Sequence, residues 1–106
     1  MSLTVLKEEK SSTLTLFISG ILDISTNAVI DPYLDEIHDD VEVVVIDFSG
    51  IEFMDSTGIG SIMNAIHLAQ EKNFKLKLDG VNELTHQIFE MVGLYQILEA
   101  IQGEVS

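Results

Sequence analysis

Residues 41 to 60 constrain the fold more than any other stretch of this chain. Val41-Glu42-Val43-Val44-Val45-Ile46-Asp47-Phe48 is rich in β-branched residues and almost continuously apolar, the composition of a strand buried on both faces. A loop follows, and then Ile59, Ile62, Met63, Ile66 and Ala69 recur at helical spacing. This pattern predicts a helix that begins at or just after Ser56 and runs to about Lys72. Asp55-Ser56-Thr57-Gly58-Ile59-Gly60 therefore puts a hydroxyl where an apolar strand and its loop hand over to an amphipathic helix, a place where a phosphate can be received. Glycine costs a helix roughly 1 kcal/mol relative to alanine. Gly58 and Gly60 in the first turn thus imply that backbone or a partner approaches closely there.

The flanking segments complete an alternation of strands and helices. Thr4-Val5-Leu6-Lys7 and Leu14-Thr15-Leu16-Phe17-Ile18 read as strands of an antiparallel hairpin, with Glu8 to Ser12 as a polar turn and the first strand at an edge. A helix is expected near Thr26 to His38. Pro32 must either kink it or sit in the first turn of a helix that starts later. Phe74-Lys75-Leu76-Lys77-Leu78 alternates as a strand with one buried face, closed by Asp79-Gly80. Glu83 to Val92 and Tyr95 to Ile101 read as two short helices split at Gly93. The expected fold class is α/β. It is a single domain over residues 1 to 106, with a mixed β-sheet built from an N-terminal antiparallel hairpin plus parallel crossovers, and helices packed against it.

Composition excludes several functions. Eighteen acidic residues face five lysines and no arginine, for a formal charge of -13. Phosphate-backbone affinity comes from Lys and Arg, so nucleic acid is not an expected partner. A protein partner is expected to present a basic or non-acidic surface. Without cysteine there is no disulfide, thiolate nucleophile or thiolate metal site. No apolar run reaches membrane-span length and the N-terminus has no signal-peptide pattern, so a cytoplasmic protein without a membrane partner is expected. No heptad or long apolar edge calls for a stable oligomer, and the free chain is expected to be a monomer.

Ser56 is open to more than one reading from pattern alone. It can be an N-cap, whose side-chain oxygen accepts a backbone N–H of the first turn. It can also be a modified residue whose phosphate adds ~1.5 to 2 negative charges at a helix N-terminus. A catalytic nucleophile would need a base. His67 lies eleven residues on, roughly 16 Å along the helix axis, out of hydrogen-bond reach. His38 and His86 approach only through tertiary folding. The stretch is neither a Gly-x-Ser-x-Gly elbow nor a P-loop, and the three histidines have no ligand spacing. No catalytic residue, metal site or cofactor is therefore assigned. With Ile59 at the centre of the buried face and about 100° per residue, Thr57, Ser61 and Leu68 fall on the far side, flanked by Asn64 and Ala65. Ser61, Asn64, Ala65 and Leu68 form the expected partner-binding stripe.

Phe53-Met54-Asp55-Ser56-Thr57-Gly58-Ile59-Gly60, after a valine-rich strand ending in Asp47, resembles the signature of bacterial anti-sigma factor antagonists of the STAS domain family. Gly20-Ile21-Leu22-Asp23 with Thr26, and Gly93-Leu94 followed by Ile97, Leu98 and Ile101, resemble two further family segments. The likeness runs from about Leu3 to Ile101.

The resemblance implies partner switching. The unphosphorylated chain would bind an anti-sigma factor that is also a serine kinase and so release a sigma factor. The kinase would phosphorylate Ser56 with its own ATP and Mg²⁺, and a metal-dependent serine phosphatase would reset the switch. On the same resemblance, Asp23 and Asp55 would orient the switch loop with Thr57 and Gly58, and would repel the phosphate once formed. Thr57 is a possible second acceptor. Two other readings remain open: a STAS module in a non-sigma assembly such as a sensory complex, secretion or biofilm control, and a small-molecule or nucleotide-binding domain that uses the helix end as an anion seat.

Overall fold

The computed structural model describes residues 2–102. The chain runs β1 (Leu3–Lys10), β2 (Thr13–Leu22), a short 3-10 turn (Asn27–Val29), α1 (Asp31–Asp35), β3 (Val43–Met54), α2 (Ser56–Lys72), β4 (Lys75–Asp79), α3 (Glu83–Met91) and α4 (Leu94–Gln102). The four strands form one sheet in the order β1-β2-β3-β4. β1 pairs antiparallel with β2, whereas β2 with β3 and β3 with β4 are parallel. This is the expected mixed α/β sheet with its N-terminal hairpin and an edge strand first.

Three boundaries differ from expectation, each for a physical reason. The hairpin turn is only Ser11-Ser12, both at positive φ, as a two-residue turn between right-twisted strands requires. Glu8 to Lys10 are strand despite their polarity, because they lie on an exposed edge. β3 continues through Ser49 to Met54, the stretch expected to be loop, beside β2 but with register shifts between Phe17 and Ser19 and between Gly20 and Ile21. Pro32 resolves in favour of the later start, since α1 carries it in its first turn, where the missing N–H has no helical acceptor to lose.

The sheet is covered on one side only. Leu14, Leu16 and Ile18 of β2, Val44, Ile46 and Phe48 of β3, and Leu76 of β4 are buried with Ile62, Ala65 and Ile66 of α2, Leu34 of α1 and Leu94 and Leu98 of α4. Phe48 meets Phe89 of α3 edge to face, with ring centroids 5.7 Å apart. Val43 and Val45 on the other face are only partly covered, so β3 is not buried on both faces as its composition implied. Gly93, at φ 74°, separates α3 from α4. At the free edge of β4, the Leu76 N–H donates to Gln102 Oε1, and Gln102 Nε2 donates back to the Leu76 carbonyl at 3.2 Å. The side-chain amide of Gln102 thus stands where a fifth strand would pair.

Candidate functional site

The junction between β3 and α2 is built on the end of β2. Leu22 pairs with Met54, and the Asp55 N–H reaches the Leu22 carbonyl at 3.3 Å. The first turn of α2 lies so close to this strand that a Cβ on Gly58 would stand 2.7 Å from the Leu22 carbonyl oxygen and 2.7 Å from Met54 Cγ. Gly58 is therefore explained by approach of backbone to backbone. Gly60 is different: a Cβ there meets nothing within 4 Å, and the residue faces outward.

Asp55, not Ser56, caps the helix. Its Oδ1 accepts from the Thr57 N–H at 2.9 Å and the Gly58 N–H at 3.2 Å. Its carbonyl accepts from the Ile59 N–H at 3.2 Å. The N-cap reading of Ser56 is thereby corrected. Ser56 is the first helical residue, it is exposed, and its hydroxyl has no hydrogen-bond partner among the described residues. Thr57 is half-buried beside it and Gly58 is buried.

Asp23 lies at the same end of the sheet, yet no hydrogen bond joins it to Ser56. Its Oδ1 accepts from the Ser25 N–H at 2.9 Å and from Ser25 Oγ at 2.7 Å. Its own N–H donates to Thr26 Oγ1 at 3.0 Å. The Thr26 hydroxyl gives its single proton to the Ile21 carbonyl at 2.7 Å, which leaves none for Asp23. Asp23 and Thr26 therefore fold the loop on itself. The Ser25 side-chain hydrogen bond outweighs the effect of burial and holds the Asp23 carboxyl below its ordinary value.

The exposed side of α2 is not the stripe expected from sequence. Gly58, Ser61, Ile62, Ala65, Ile66 and Ala69 face the core, so its centre lies near Ile62 and Ala65, about a quarter-turn from Ile59. Ser61 is 7 % exposed and Ala65 is fully buried, which removes both from a free partner-binding surface. Leu68 packs half-buried against the core, and only Asn64 of the four is exposed. The physical reason is the close approach at Gly58, which turns Ser61 and Ala65 into the core beside Ile62 and Ile66, while the half-buried Ile59 and Met63 sit at the margins.

The row in line with Ser56 is instead Gly60, Met63 and His67, at four, seven and eleven residues on, with Asn64 beside it. Ile24 at 77 % exposure and Phe53 at 55 % stand at the same end of the sheet, a pair of large apolar side chains that sequence reasoning missed. Two apolar residues beside turn-forming neighbours were the available signal. His38 and His86 lie elsewhere, against Glu9 at 3.1 Å and against Tyr95 Oη at 2.8 Å, respectively. Neither bonds to Ser56.

Two outcomes follow from this geometry. Gly58→Ala should lower unfolding free energy by roughly 1–3 kcal/mol through overpacking, whereas Gly60→Ala should raise it by roughly 0.5–1 kcal/mol; chemical denaturation of both variants measures the contrast. A carboxyl held low in the fold stabilises it above the unfolded pKa of 3.8, and that contribution is lost as pH falls through the folded value. Ser25→Ala should therefore move the Asp23 titration up toward 3.8, as followed by carboxyl NMR, and shift acid unfolding to higher pH.

Comparison with known proteins places this chain in a family. The anti-sigma F factor antagonist of Paenibacillus polymyxa is 29 % identical over 108 residues, covering 100 % of this chain and 92 % of that protein. The anti-sigma-B factor antagonist of Listeria monocytogenes is 29 % identical over 105 residues, covering 95 % and 91 %. Among solved structures, the Bacillus cell fate determinant SpoIIAA in its phosphorylated form superposes with a TM-score of 0.71 at 19 % identity, over 88 % of this chain and 86 % of that one. A sulfate transporter family protein from Wolinella succinogenes reaches 0.76 at 17 % identity, over 87 % and 75 %, which extends the likeness of fold beyond one kind of protein. The STAS domain model matches residues 4–105, from the first strand through the last helix, and the chain belongs to the STAS domain family.

Proposed function

We propose that this chain is an anti-sigma factor antagonist, and that Ser56 is the switch residue of a partner-switching pathway. The observation that carries the reading is the state of Ser56 at the start of α2: exposed, without a hydrogen-bond partner among the described residues, and relieved of capping by Asp55. A kinase can take such a hydroxyl without first breaking the fold. The names of the curated relatives support the sigma pathway over other assemblies that use the same fold.

In the unphosphorylated state, an anti-sigma factor that is also a serine kinase docks over Ser56, Gly60, Met63, Asn64 and His67, with Ile24 and Phe53 as apolar anchors. Phosphorylation adds ~1.5 to 2 negative charges at Ser56. The Thr57 and Gly58 N–H groups that would steady that phosphate already serve Asp55. The new charge consequently stands in the docking surface beside a carboxylate. Desolvating it against an apolar or acidic partner disfavours the complex by several kcal/mol, orders of magnitude in affinity. A serine phosphatase restores the bound state. The same use of the helix end by Asp55 weighs against a nucleotide seat there.

Intact-mass measurement of wild-type and Ser56→Ala chains, expressed in the source organism, tests the acceptor. One phosphate on the wild type and none on Ser56→Ala is the expected result; the same increment on both would move the switch to another residue, and none on either would remove it. With the partner in hand, Met63→Glu should weaken binding by about tenfold or more. Ser56→Asp should do the same.

A further inference from the structure

The open side of the sheet has a charge pattern unlike the rest of the molecule. Strand register places Lys10, Thr13, Val43 and Lys75 in one row across it. Glu8, Thr15, Val45 and Lys77 form the next row, and Leu6, Phe17, Asp47 and Asp79 the one after. Three of the five lysines of the chain thus balance three carboxylates on one face, while the whole chain carries -13. The lysines gather toward one end and the aspartates stand at the other. Among the described residues no carboxylate lies within 4.0 Å of Lys75 or Lys77, and Asp47 and Asp79 are like-charged register neighbours. Leu6 and Phe17 are exposed in the row that ends in the two aspartates, and no helix covers them. Parallel strands are seldom left bare on one side.

We propose that this face is a contact between two copies of the chain, in a weak two-fold dimer. A second copy is the occupant whose chemistry fits. An axis lying across the strands, level with Leu78, turns the lysine end of one sheet over the aspartate end of the other. Lys77 of each copy then stands over Asp79 of the second copy, with Asp47 one strand away. Phe17 of each copy packs over Thr15 of the second copy and Leu6 over the stem of Glu8, at the usual ~10 Å sheet separation.

Two magnitudes set the strength of this contact. Four strands about 4.8 Å apart, over five or six residues of about 3.3 Å, give on the order of 350 Å² per copy. A stable interface takes ~800 Å² per partner. Opposing it, each copy brings a charge of -13, whose repulsion reaches across the screening length of about 8 Å at 0.15 M salt and much less at 1 M. The long-range repulsion outweighs two exposed ion pairs, so the dimer strengthens as salt rises. A contact held mainly by surface ion pairs would weaken. The α2 face with Ser56 lies on the other side of the sheet and stays free, so the dimer does not depend on the switch reading.

Sedimentation equilibrium of the full chain, from about 0.02 to 1 mM at low and high NaCl, tests this directly. The expected result is a monomer when dilute and a growing dimer fraction at high concentration, larger in high salt. Lys77→Asp should weaken the dimer by about tenfold, and the charge swap Lys77→Asp with Asp79→Lys should recover most of it. Circular dichroism checks that both variants fold. A monomer throughout, a dimer indifferent to Lys77→Asp, or a swap that fails to rescue would each overturn the proposal.

Discussion

The close seating of α2 on the end of β2 is the constraint on which the rest of the structure depends. It requires a residue without a side chain at Gly58, since a Cβ would enter the Leu22 carbonyl oxygen at 2.7 Å. It draws Asp55 into contact with the Leu22 carbonyl through its N–H, which fixes that residue as the cap. Once Asp55 is the cap, Ser56 falls on the first helical position and the rotation of the whole helix follows. Ser61, Ala65 and Ala69 then face the core beside Ile62 and Ile66. The exposed serine results from packing two positions away.

This dependence also explains how the helix tolerates its sequence. One glycine, a serine and two alanines among its core-facing positions would make a poor surface helix judged by burial of large side chains. Against a strand end at close range they let the backbone approach, and the contact recovers in packing what Gly58 costs in helix propensity. Gly60 has no such explanation within the fold, because nothing stands near it. Its place beside Ser56 on the outer row is what a docking surface would use.

Much of the architecture was legible in the sequence, for identifiable reasons. The valine run, the helical spacing after Ser56, the alternation of Phe74 to Leu78 and the break at Gly93 each state a period or a stop that tertiary context did not override. The limits of β1 and β3 were harder to read. Polar residues on an exposed edge look like a turn, and Ser49 to Met54 pair with β2 through an irregular register. The helix rotation was misjudged because hydropathy ranks Ile59 above Ser61 and Ala65, whereas the close approach at Gly58 sets which side faces the core. Ser56 itself stood out as a hydroxyl at a strand-to-helix junction, but its freedom from capping depended on which of two adjacent residues the turn would use. Asp23 was legible as a loop carboxylate; its engagement with Ser25 was not.

Gln102 has a consequence for the order in which the chain takes shape. It guards the backbone of Leu76 from a position 26 residues later, so one side-chain amide couples the docking of the last helix to closure of the sheet edge. During synthesis β4 emerges long before its guard. Until α4 arrives, the nascent sheet ends in an open backbone row that any other strand can join. The final turn of the described chain thus closes that row at Leu76, and crowding on the ribosome is where its loss would first be felt.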